Sequence, residues 1–158
     1  MAEAADGVLV VRAGQGEAIA VGGARILRKL SAEDAGGHFS LIEYAVGPRF
    51  AAPAALHWHT KESFTAYVLE GRIEFRFRDR TEALGPGDVL KAPPGCPFAW
   101  LNPTDEPARI LYIYAPGGFD AYFAEAAGVI AANPQTPIRD LAPKLARLWT
   151  KYGIQSEA

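Results

Sequence analysis

One cysteine, one methionine and three histidines in 158 residues leave few ways to build chemistry from this chain. The lone Cys96 excludes an intramolecular disulfide framework and suits a reducing compartment. Nothing beside it in the turn PGCP would stabilise a thiolate, so no nucleophilic role is expected of it. An excess of positive charge is also missing. Sixteen basic against eighteen acidic residues give a formal net charge of -2, which argues against nucleic acid or anionic lipid as a partner. No apolar run approaches the length of a membrane span. The acidic start MAEAADG before the short run VLVV is unlike a signal peptide, and the expected location is cytoplasmic.

What the chain does have is apolar residues, 49% of the total, enough for one globular domain with a real core. Short runs of β-branched and aromatic residues (HFSLIEYAV, FTAYVLEG, RIEFRFR, ARILYIYA) alternate with Gly/Pro punctuation at GPRFAAP, LGPGD, APPGCP and NPTDEP. That spacing predicts an all-β sandwich or barrel. In RIEFRFRDR, Arg72, Glu74, Arg76, Arg78 and Arg80 share one strand face, and Ile73, Phe75 and Phe77 share the other, as in a half-buried strand with a solvated charged side. After Pro116 the texture turns helical. FDAYFAEAAGVIAA predicts a short helix, and LAPKLARLWTKYG predicts another, with Asp140 as N-cap, Leu141, Leu145, Leu148 and Tyr152 on one face, and Gly153 as the stop. The expected organisation is one domain: N-terminal strands over 1–35, a barrel core over 36–116, and a helical extension over 117–158 packed on the barrel's outside.

Chemistry is concentrated in HWHTKESFTAYVLEG. Residues two apart on a strand point to one face, so His57 and His59 project together, as half of a metal site would. Spacing alone leaves open a pair of histidines satisfied by hydrogen bonds at a loop–strand junction. His38, at the start of HFSLIEYAV, reads as a solvated strand-end residue.

GPRFAAPAALHWHTKESFTAYVLEG resembles the first conserved motif of the cupins: a glycine, His-x-His, a glutamate after three or four residues, and a glycine after six more. GDVLKAPPGCPFAWLN resembles the second, with Gly87, Pro93, Gly95 and Asn102 in register. The resemblance implies a cupin double-stranded β-helix, a jelly-roll barrel, followed here by short C-terminal helices like those of small quercetin-dioxygenase-like or polyketide-cyclase-like cupins. It also implies four metal ligands inside the barrel, and here the sequence departs from the family. The glutamate position counted back from Gly71 is Phe64, and the second-motif histidine position counted from Gly95 is Phe98. Two of the four positions carry aromatic hydrocarbons with no lone pair.

Glu62 is the nearest replacement, but it lies two residues before position 64 and needs an irregular turn to reach. Tyr44, Tyr112 and Tyr114 are poorer divalent ligands because a phenol ionises near pH 10. No cofactor is therefore expected; the alternative is a divalent metal such as Fe, Mn, Ni, Cu or Zn held through His57 and His59. Phe64, Phe98 and Trp100, with Tyr44, Tyr112 and Tyr114, are the expected walls of an apolar aromatic cavity, and His57, His59 and Glu62 its acid/base groups. The functional expectation is an enzyme of cyclase, isomerase or lyase type acting on a hydrophobic cyclic or aromatic molecule. A quercetinase-like dioxygenase and a non-catalytic small-ligand binder stay open as alternatives. Apolar outer strands such as ARILRKL predict a homodimer.

Overall fold

The computed structural model of the protein describes residues 3–5, 7–21, 23–51 and 55–157. The last two residues of the turn expected at GPRFAAP lie outside them. Strands run in chain order as β1 (Glu3–Ala5), β2 (Val8–Val10), β3 (Glu17–Val21), β4 (Ala24–Leu30), β5 (Ser40–Val46), β6 (His57–His59) and β7 (Ser63–Glu70). They continue as β8 (Ile73–Arg76), β9 (Thr81–Leu84), β10 (Val89–Ala92), β11 (Ala99–Leu101) and β12 (Ala108–Ala115). Helices α1 (Asp120–Ala131) and α2 (Ala142–Tyr152) follow, and β13 (Ile154–Ser156) closes the described chain.

The strands form a jelly roll, the all-β class expected from the punctuation. One layer is a six-stranded antiparallel sheet in the order β10-β7-β12-β5-β4-β3, so β3 and β4 from the N-terminal segment extend the same sheet as β5. The facing layer is assembled from β11-β8-β9 and β13-β6, joined by an antiparallel bridge between His57 and Phe98. Strict alternation of burial along ARILYIYA in β12 sends Ala108, Ile110, Tyr112 and Tyr114 inward, as a strand with one core face requires. Ile73 and Phe75 on β8 are fully buried while Arg76 is exposed, as RIEFRFRDR predicts. The charges on the outer side pair with one another, Arg76 with Glu74 and Arg80 with Glu82.

The motif residues that fall in register are structural. Gly71 sits at φ +75°, and a Cβ there would come within 2.6 Å of the Pro107 carbonyl oxygen, so both backbone and space require glycine. Asn102 is buried, and its amide donates to the carbonyls of Gly47 and Glu106 while its oxygen accepts from Thr104, which clamps the turn after β11.

The helices depart from expectation in one way: Asp140 is not the N-cap residue of α2. Residues Ile138–Leu141 form a 3-10 turn, Leu141 occupies the N-cap, and Pro143 falls in the first helical turn, where its missing N–H is tolerated. Gly153 ends the helix in the left-handed region, as expected. Residues of both helices line one cavity together with residues of the barrel. No residue of α2 is fully buried because its apolar side, with Leu145 and Trp149, borders a cavity instead of a packed wall. The start of α1 is tied to the sheet by Asp120, which accepts hydrogen bonds from Arg28 on β4 and from the Ala32 amide. Among the described residues, no helix is long and apolar enough to cross a membrane.

Candidate functional site

Three backbone attachments position the histidine strand. His57 and Phe98 exchange both backbone hydrogen bonds, at 3.0 and 2.9 Å, and the Gly95 amide donates to the His59 carbonyl at 2.8 Å. On the other edge β13 pairs with β6, placing Ile154 opposite His59 and Ser156 opposite His57. The three-residue β6 is thus fixed from both sides, and alternation sends His57 and His59 inward while Trp58 turns outward to Gln155.

Their side chains meet the two phenylalanines. The Phe98 ring lies 4.5 Å from His57 and 6.0 Å from His59, centroid to centroid, and Phe64 lies 4.3 Å from Phe98 and 6.4 Å from His59. All four are buried. Imidazoles bound tetrahedrally to one metal have ring centroids about 5 Å apart, given a metal–nitrogen bond of about 2 Å. The four rings therefore converge like a ligand set, but two of them are hydrocarbon. Among the described residues, no group of three or more His, Cys, Asp or Glu side chains is placed to hold a metal ion. The donor set does not fit the four-ligand metal centre that the sequence resemblance implies.

Glu62 does reach the site. The chain bends between β6 and β7, and the Glu62 carboxyl turns back to lie 3.7 Å from His59 Nδ1, both groups buried. That is ion-pair reach but longer than a hydrogen bond, and His59 Nδ1, Glu62 Oε2 and His57 Nδ1 all lack partners. Unpaired polar atoms buried together carry a desolvation penalty that a bound ligand can relieve.

A cavity of about 640 Å³ opens from these histidines. Tyr44, Tyr112, Tyr114, Phe98 and Trp100 line it from the barrel; Phe64 packs behind Phe98 without reaching the lining. The Tyr44 and Tyr114 hydroxyl oxygens are 3.4 Å apart, and the buried Tyr112 hydroxyl has no partner. Burial raises the pKa of all three phenols, so they remain protonated donors at neutral pH. Sequence reasoning missed the residues that the helical segment contributes. Phe119 packs edge-on to His59 at 4.3 Å, Phe123 lies 5.7 Å from Tyr44, and Trp149 lies 6.0 Å from His57 while donating to the Tyr122 hydroxyl. The aromatic spacing in FDAYF was the available signal. His38 is exposed, away from the buried cluster.

Burial, and secondarily the neighbouring His59, lower the pKa of His57 to about 4. Its imidazole is neutral at pH 7. An unfolded chain protonates this residue near pH 6.5, so as pH falls the unfolded state takes up the proton first. The stability tied to a neutral His57 is complete above about pH 6.5 and is lost as pH falls to about 4, a change of roughly 3 kcal/mol. Urea denaturation at pH 7, 5.5 and 4 should show a shallower acid decline for His57→Gln than for wild type. Parallel declines would mean that His57 is not held neutral.

Comparison with known proteins places this geometry. Residues 41–114 match the family model described as Cupin domain. No curated protein matches the chain significantly. Among solved structures, the polyketide cyclase RemF from Streptomyces resistomycificus is similar at 25% identity and a TM-score of 0.59, over 67% of this chain and 78% of that one. A cupin-superfamily sugar phosphate isomerase from Silicibacter pomeroyi is 26% identical with a TM-score of 0.50, over 59% of each chain. Ectoine synthase from P. lautus shares the fold at 19% identity and a TM-score of 0.58, over 72% of this chain and 78% of its own.

Proposed function

We propose that the chain is a cupin enzyme whose barrel binds a hydrophobic cyclic or aromatic molecule and performs acid/base chemistry on it without a resident metal. The observation that carries this reading is the pairing of two buried imidazoles bearing unpartnered nitrogens with an aromatic cavity, where hydrocarbon rings stand at two ligand positions. Similarity to a polyketide cyclase supports the cyclase class within it.

The chemistry this constellation suits best is proton abstraction next to a carbonyl. Neutral His57 takes a proton from carbon, the C–H electron pair moves into the carbonyl, and the resulting enolate oxygen is held by the phenol hydroxyls of Tyr44 and Tyr114. A His57 pKa near 4 does not forbid this, because the transfer creates an imidazolium and an enolate together, and the two attract strongly in a low-dielectric barrel. Returning the proton to a different carbon isomerises the substrate. Attack of the enolate carbon on a second carbonyl closes a ring, and the alkoxide so formed takes the proton from the histidine. His59, backed by Glu62, relays protons between the two positions.

Anthrone, a three-ring ketone with an acidic methylene, tests the reading. Deuterium from heavy water should enter that methylene faster with the protein than with buffer, at a rate unchanged by EDTA. Anthrone that binds without exchanging would make the protein a binder and sink the enzyme reading. Exchange that EDTA abolishes and added metal restores would replace it with a metal-dependent one.

A further inference from the structure

We infer that the cavity selects an uncharged fused-ring ketone or quinone, anchors its carbonyl oxygen on the Tyr44–Tyr114 hydroxyl pair, and rejects anions of the same shape. This deepens the acid/base reading and rests on it only for the location of the site. Three observations lead to it, from charge, from hydrogen-bond accounting and from shape.

Among the described residues that line the cavity, none is a lysine, arginine, aspartate or glutamate. A carboxylate or phosphate entering it would lose its hydration and gain no counter-charge, which is the costly way to bury an ion. His57 cannot supply the charge at neutral pH, since burial holds it neutral. A sugar phosphate, the substrate named for one of the similar structures, is thereby the wrong kind of ligand for this barrel.

The hydroxyls call for an acceptor. At 3.4 Å one of the Tyr44 and Tyr114 hydroxyls donates to the other, which leaves one O–H of the pair free, and the Tyr112 O–H has no partner at all. Two donors of the lining are thus without an acceptor. A carbonyl oxygen has two lone pairs and satisfies both, whereas a plain hydrocarbon leaves both donors unmet.

Shape supplies the rings. Tyr112 and Tyr114 are nearly parallel, 10° apart, as are His59 and Phe98 at 16°, so the walls offer flat faces for stacking. A volume of about 640 Å³ lies within the range of pockets that enclose a multi-ring molecule.

A matched set of three-ring probes separates these contributions: 9-fluorenone, fluorene, which lacks the oxygen, and 9-fluorenone-2-carboxylate. Affinities are read from quenching of tryptophan fluorescence, to which Trp100 and Trp149 in the wall report. Fluorenone should bind about 5- to 30-fold tighter than fluorene, the worth of one to two net hydrogen bonds. The carboxylate should bind at least 100-fold more weakly than fluorenone. Replacing both Tyr44 and Tyr114 by phenylalanine, with folding checked by thermal melting, should reduce the preference for fluorenone over fluorene to what the Tyr112 hydroxyl alone supplies. Carboxylate binding equal to that of fluorenone, a fluorenone preference undiminished in the double variant, or no binding of any probe would each overturn the inference. The two readings fail separately: this affinity order without deuterium exchange into anthrone would retain the ligand class and discard the acid/base mechanism.

Discussion

Alanine at His57 is expected to lower the rate of deuterium exchange into anthrone by roughly 10²- to 10⁴-fold, the range for loss of a positioned general base. The loss should fall on turnover more than on binding. His57 contributes one edge of a wall whose area comes mainly from tyrosine, phenylalanine and tryptophan rings, so fluorenone affinity should change little. That contrast separates a catalytic role from a packing role, since a collapsed cavity would weaken both. The pH profile gives a second check. The reaction needs neutral His57, and its pKa is lowered to about 4, so exchange in the wild type should hold level from pH 7 down to about 5 and fall only as pH approaches 4. An ordinary histidine base would lose activity near pH 6.5. Full activity in the alanine variant, or an acid limb at pH 6.5 in the wild type, would remove His57 from the mechanism.

Much of this site could be read from the chain, and the parts that could not share a cause. Strand parity is a local rule of period two, so His57 with His59, Phe64, Phe98, and the inward Tyr112 and Tyr114 follow once strand and register are known. The turn that returns Glu62 to His59 is irregular, and no periodicity encodes it. The aromatic residues of the helical segment were readable as an apolar face but not as a cavity wall, because amphipathicity shows that a face is covered and not by what. β13 is only three residues, Ile-Gln-Ser, joined to β6 by backbone hydrogen bonds, and backbone pairing leaves almost no mark on side-chain composition. The misplaced cap at Asp140 shows local propensity overridden. Leu141 is buried at the junction, and the 3-10 turn that buries it shifts the start of α2 one residue along.

Restoring the missing donors should turn this barrel into a metal site. In the double variant Phe64→Glu, Phe98→His, four donors would project from positions whose rings now lie 4.3 to 6.4 Å from their neighbours, the spacing of groups that converge on one ion. Without metal, a carboxyl group and an imidazole in place of two buried phenylalanines are unsatisfied and leave packing defects, and the apo variant should be less stable than wild type by about 3 kcal/mol or more. Zinc or nickel binds the folded state alone, so the melting temperature of the variant should rise steeply with metal and fall back with EDTA, while that of the wild type should not move. With a dissociation constant of roughly 1 µM, free metal at about 1 mM stabilises the folded state by about 4 kcal/mol, enough to offset the expected destabilisation. Each single variant supplies three donors and should bind more weakly than the double. Anthrone exchange should be lost in the metal-loaded double variant, because the bound ion engages the lone pairs of His57 and His59 on which proton transfer depends. Two results would contradict this account. A folded double variant indifferent to metal would mean that the four positions do not converge as the ring distances indicate. A wild type that already binds one equivalent of metal tightly would mean that His57 and His59 find a further ligand, and the reaction would have to be sought in metal chemistry.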